Sequence, residues 1–231
     1  MPDDLHRQLL QEYINVVLYR DIVDRYDIKN HHIVKLFLFH CLQNLAAPLS
    51  VARAFHILKS LGEKLGKNSL YEYLTYFEDA YAIFTVPIFN YSSTKRQVNP
   101  KKIYACDPGL IAAYSIKPEF DKTTALENAV FSHLRRKYRD IFYYKTKSDK
   151  EIDFVVLTAK GERELYQVCL DIKACSTLTR EISAFVEAAK ELQSDKLTLI
   201  TEHEEKTITQ EGLCIECVPF WKWAGLLTSQ Q

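Results

Sequence analysis

The alternation of apolar and polar positions divides the chain into a helical front and a mixed rear. Residues 5–27, "LHRQLLQEYINVVLYRDIVDRYD", repeat apolar groups at Leu5, Leu9, Tyr13, Val16, Val17, Tyr19 and Val23, a helical recurrence with a broad apolar face. "HHIVKLFLFHCLQNLA" continues as a second helix that Pro48 ends, since the residue before proline is disfavoured in the helical region. Ser50 is placed to cap "SVARAFHILKSLG", closed by Gly62, and Asn68 or Ser69 to cap "SLYEYLTYFEDAYAIF", with Leu70, Leu74, Phe77 and Tyr81 on one stripe. Helices joined by a short glycine-bearing turn suggest helix-turn-helix geometry. The β-rich runs "AIFTVPIFNYSS" and "KKIYACD", separated by the basic "TKRQVNP", add a hairpin with an exposed tip, so the front reads as a helical winged-helix domain over residues 1–115.

The prolines of "PGLIAAYSIKPEF" mark a boundary near 115–122, and a second domain is expected over 120–231. There the pattern runs helix ("TALENAVFSHLRRKY"), three strands ("IFYYKTK", "EIDFVVLT", "ELYQVCLDI"), helix ("LTREISAFVEAAKELQ"), two strands ("KLTLIT", "LCIECVPF") and a last short helix at "WKWAGLL". That order predicts an α/β (α+β) sandwich with a parallel β–α–β step.

Charge adds little globally and something locally. Thirty basic and thirty acidic side chains cancel, so no overall field points to nucleic acid. Residues 116–150 nonetheless hold nine basic groups against five acidic ones, largely through "RRKYR". On the front domain, the presumed recognition helix carries Glu72, Glu78 and Asp79 and no lysine or arginine, so the wing's Lys95, Arg96, Lys101 and Lys102, with Arg135 and Arg136 behind, are the candidates for phosphate contact. Its Tyr71, Tyr73 and Tyr76 suit a protein interface instead. "GEKLGKN" has three residues between its glycines and Asn68 after the lysine, which rejects it as a nucleotide-binding loop; no bound ATP is expected. The Cys214–Cys217 pair lacks the second pair of a zinc ribbon, and packing explains it better. The start "MPDDLHRQLL" lacks the layout of a signal peptide and no run approaches a membrane span, so a cytoplasmic protein is expected.

In alternating strands, side chains two apart share a face, so Glu151 with Asp153, and Gln167 with Cys169, point the same way; neighbouring strands would bring Asp153 near Gln167. Glu127 on the preceding helix would complete an oxygen cluster of the kind a magnesium nuclease requires. The helix with Glu127, then "EIDFVV" and "YQVC", resembles the PD-(D/E)XK nuclease superfamily. The resemblance implies a restriction-endonuclease-like fold, with Glu127 and Asp153 as metal-binding acids and Gln167 at the Glu/Gln position. Cys169 stands where that family has lysine, and Lys173 or Lys145 is the candidate displaced cation.

The segments "LYRDIVDRYDI", "YLTYFEDAYAIF", "NPKKIYACDPGL", "LENAVFSHLRRKY", "SDKEIDFVV" and "YQVC" together resemble the carboxy-terminal region of prokaryotic AAA-type ATPases. That resemblance implies an ATP-binding module ahead of this region. None lies in these 231 residues, so the sequence reads as a fragment, a split product or a truncated homologue. The expected function is a non-catalytic binding module for DNA or a protein partner within an ATPase system. A magnesium-dependent DNA nuclease and a protein-interaction or self-associating adaptor are the alternatives.

Overall fold

The structure, a computed structural model, describes residues 3–114, 121–170, 172 and 175–228. By density of contacts the chain forms two units, Met1–Val86 with Pro100–Asn128, and Pro87–Asn99 with Ala129–Gln231. Each draws on two stretches of chain.

In the first unit, α1 (Asp3–Val16) runs on into a π-helical segment, Val17–Asp24. The buried face of this helix is Ile14, Val17, Leu18, Ile22 and Val23, whereas Leu5, Leu9, Tyr13, Val16 and Tyr19 are exposed. The recurrence therefore marked a real helix but mixed its two faces, because apolar residues line both sides. Asn30 caps α2 (His31–Leu42) by accepting from Ile33 N–H at 3.2 Å. This helix stops six residues before Pro48, which instead opens the short strand β1 (Pro48–Leu49). Ser50 caps α3 (Val51–Ser60) as its position suggests. α4 (Lys67–Asp79) starts earlier than Asn68, after Gly66, and ends before Tyr81, whose φ of 55° lies outside any helix and whose ring is exposed.

Strands β2 (Ile83–Val86) and β3 (Lys101–Ala105) pair antiparallel, with β1 on the other side of β3. Helix α6 (Gly109–Tyr114) and the first turns of α7 (Lys122–Lys137) complete the unit. Its core includes Leu18, Phe37, Phe77, Ile83 and Ile103, all fully buried. The expected wing tip is more than a turn: between β2 and β3 the chain forms α5 (Ser93–Val98), and residues 87–99 belong to the second unit.

That unit is a six-stranded mixed sheet in the order β4-β5-β6-β7-β9-β8, built from β4 (Asp140–Lys145), β5 (Glu151–Leu157), β6 (Arg163–Val168), β7 (Lys196–Thr201), β8 (Lys206–Gln210) and β9 (Leu213–Pro219). β4, β5 and β6 are antiparallel; β6, β7 and β9 are parallel, as the β–α–β pattern requires. β8 went unread in the pattern, since "KTITQ" is short and largely solvated on both faces. α8 (Cys175–Leu192) covers one face, where Phe185, Ala188 and Leu192 pack on Leu165, Leu199 and Ile215. On the other face Phe131 of α7 stacks on Phe154, and α9 (Phe220–Thr228) sets Trp223 against Tyr166.

The segment 87–99 guards the β4 edge. Phe89 N–H donates to Tyr143 O at 2.6 Å, Tyr143 N–H donates to Pro87 O at 3.1 Å, and the Phe89 ring lies 5.5 Å from Phe142 and 6.2 Å from Tyr144. An edge that would otherwise offer unpaired backbone groups is thus partly closed.

Candidate functional site

The sheet places Asp153 and Gln167 where β5 and β6 part. Regular pairing between these strands ends at Phe154 opposite Tyr166. One step further, side chains take over from the ladder: Asp153 N–H donates to Gln167 Oε1 at 3.0 Å, and Val168 N–H donates to Asp153 Oδ2 at 3.0 Å. A bulge on β5 sets the aim of Asp153. Phe142 faces Val155 and Tyr144 faces Ile152, so β5 takes three steps where β4 takes two. Ile152 and Val155 consequently both reach the core under α8, and strict alternation fails across Asp153.

Two further residues enter from α8. Gln167 Nε2 donates to Glu181 Oε2 at 2.7 Å, while Arg180 donates to Glu181 Oε1 through Nε at 3.1 Å and Nη2 at 2.6 Å. Asp153, Gln167, Cys169 and Glu181 are all buried; the Arg180 side chain is 75% exposed. The hydrogen bond and charge of Glu181 raise the Arg180 guanidinium above its ordinary value, and Cys169 and Asp153 act in the same direction. Neither Arg180 nor Glu181 was anticipated, although a signal existed: Glu181 falls three, four, seven and eight residues before Ala184, Phe185, Ala188 and Ala189, an acid on an apolar helix face.

Several of the remaining expected residues have partners of their own. Glu127, counted with the first unit, accepts from Lys102 Nζ at 3.0 Å and Tyr104 OH at 2.8 Å. Next to it Asn128 ties both backbone groups of Ala105, at 2.8 and 3.1 Å. Lys102, expected on an exposed wing, is 1% exposed and held in this ion pair, so it offers nothing to a phosphate. Lys101 is half-buried in β3. Lys95 is exposed on α5, and Arg96 donates to Asn90 O at 2.5 Å. Arg135 and Arg136 are exposed in the last turn of α7. Of the displaced cations, Lys145 pairs with Asp149 at 3.1 Å, and Lys173 lies outside the described residues. Cys169 packs in the core under α8.

As arranged, this set is closed on protein donors and not opened toward a magnesium ion. The ion demands near-octahedral oxygen ligands, yet Asp153 Oδ2, Gln167 Oε1 and both Glu181 oxygens already accept hydrogen bonds from the protein. Among the described residues no three His, Cys, Asp or Glu side chains gather as a metal group. The interface reading of α4 meets a similar limit: Tyr76 stacks on Tyr26 at 3.7 Å, and Tyr73 and Tyr76 pack on the core, leaving Tyr71 outside.

A family profile described as a domain of unknown function, DUF8612, matches residues 2–120, just over half of the chain. The chain belongs to that family. A second profile, the domain of unknown function DUF4143, matches residues 122–223. An uncharacterized protein of Methanocaldococcus jannaschii is 33% identical over 233 residues, covering 96% of this chain and 51% of the relative. An uncharacterized protein of Haemophilus influenzae is 24% identical over 171 residues, covering 74% of this chain and 42% of the relative. The chain thus spans about half the length of these curated relatives. A chain in the assembly of Thermococcus gammatolerans McrB AAA+ hexamers with bound McrC aligns over 68% of this chain and 34% of its own length, at 10% identity and a TM-score of 0.31, too slight a likeness to carry an argument. Among the described residues no helix is long and apolar enough to cross a membrane.

Proposed function

We propose that the chain is a non-catalytic binding module of an AAA-type ATPase system, in which a nuclease-like site has become a structural clasp. The observation that carries this reading is the closed hydrogen-bond chain from Asp153 through Gln167 and Glu181 to Arg180, whose oxygens are turned onto N–H donors of the protein itself. The winged-helix reading of the front is supported by the order α2, β1, α3, α4, β2, β3 with β3 central, and the nuclease-like reading of the rear by the meeting of Asp153 with Gln167. The ATPase association rests on the resemblance of the segments quoted above, and the greater length of the relatives leaves room in them for a further module.

A magnesium-dependent nuclease is the second reading, favoured by the convergence of two buried carboxylates with Gln167. Incubating plasmid and linear DNA with the protein in magnesium or manganese separates the two. The module reading expects no cleavage above background in either metal. Cleavage that disappears in Asp153→Ala would overturn it in favour of the nuclease.

A further inference from the structure

The clasp leaves one group turned outward. Arg180 commits Nε and Nη2 to a single oxygen of Glu181, and Nη1 has no hydrogen bond among the described residues. Glu181 is itself fixed by Gln167, and Gln167 by the backbone of Asp153. A long, otherwise mobile side chain is therefore held along one edge of its guanidinium, while 75% of it remains exposed. A planar, permanently charged fork fixed in this way is suited to a phosphate oxygen, since the entropy of ordering it is already spent. Behind it, Asp153 accepts from Val168 N–H and Glu181 from Gln167 as well as from Arg180, so each carboxylate has protein donors of its own.

We infer that Arg180 is the phosphate-contacting cation of this site and that the ligand it serves is a nucleic-acid backbone. It supplies from α8 a positive charge that Cys169, one residue past β6, does not supply. This deepens the module reading and rests on it. The contact carries no base information, so binding through it is expected to be indifferent to sequence and sensitive to salt.

The test measures affinity for a fluorescent DNA duplex across a series of salt concentrations, for the wild type, Arg180→Gln and Arg180→Lys. Arg180→Gln is expected to bind several-fold more weakly at low salt, and its plot of log affinity against log salt to lose about one unit of slope. Arg180→Lys, which keeps the charge and loses the fork, should retain the slope with an intermediate affinity. A merely structural arginine would lower the melting temperature and leave the slope unchanged. Unchanged affinity and slope in Arg180→Gln, with the wild type binding duplex, overturn the inference and leave the module reading standing. Failure of the wild type to bind any duplex at low salt also overturns it, and confines the module to protein partners. Asp153-dependent cleavage removes the non-catalytic reading, while a slope lost in Arg180→Gln would still uphold the phosphate contact.

Discussion

Lys102 shows how a single side chain misleads when read by sequence position alone. In "NPKKIYACD" it looks like one of a solvated basic pair, yet strand alternation puts Lys102 on the same face as Tyr104, and both side chains donate to Glu127, at 3.0 and 2.8 Å. Removing one partner of a buried ion pair leaves the other charge uncompensated, so Lys102→Met should lower stability by about 3–5 kcal/mol, measured by urea unfolding. A loss below about 1 kcal/mol, the range of exposed pairs, would contradict this burial. Glu187 gives a complementary test by pH. The Ser148 hydroxyl, Lys150 and the Ser148 N–H hold its carboxyl down from 4.5 to about 2. A depressed folded value contributes stability above pH 4.5 that is lost as pH falls toward 2. The melting-temperature gap between wild type and Glu187→Gln should therefore be full at neutral pH and close across that window. A gap that stays constant with pH would show that the substitution acts through packing alone. Caps such as Ser50 were legible because the interaction spans three residues of sequence. The Lys102–Glu127 pair spans 25 and leaves no local mark.

Elements were read more securely than their faces. Helical and alternating periods located most of the helices and strands, since each reflects the geometry of its own segment. What escaped depended on neighbours: the bulge in β5 breaks a period-two reading at Asp153, and α1 is apolar on two sides, so recurrence gave no choice between them. The segment 87–99 escaped for the same reason, because nothing within "PIFNYSSTKRQVN" says that Phe89 belongs in the core beneath β4. Phe89→Ala should cost about 3–4 kcal/mol through the cavity it leaves. Hydrogen exchange gives the sharper readout: the amides of Phe89 and Tyr143, which bond across this edge, should lose protection before those of β7 in the middle of the sheet. Equal acceleration in β7 would mean that the segment is no separate edge element but part of one cooperative core.

At the scale of the whole molecule the chain is interleaved, a property no linear reading of composition discloses. The sequence suggested a cut near 115–122 because two prolines and polar residues gather there, and the two family profiles meet at the same place. Contacts partition the chain differently, giving residues 87–99 to the second unit and 100–128 to the first. The consequence is testable with fragments. A fragment of residues 1–115 keeps Lys102 in β3 but lacks Glu127, and loses Asn128, which bonds both backbone groups of Ala105. It should melt lower than the same core in the full chain. Extending it to residue 137, the end of α7, should recover most of that loss, since both side chains return on a complete helix. A fragment of residues 120–231 lacks Phe89 and the pairing of Pro87 and Phe89 with Tyr143, so it should show a loosened β4 edge and aggregate through it. Adding a peptide of residues 87–99 should raise its melting temperature by mass action. Two fragments cut at the prolines, each as stable as its unit in the intact chain and indifferent to the added segment, would show that the interleaving contributes nothing to either core.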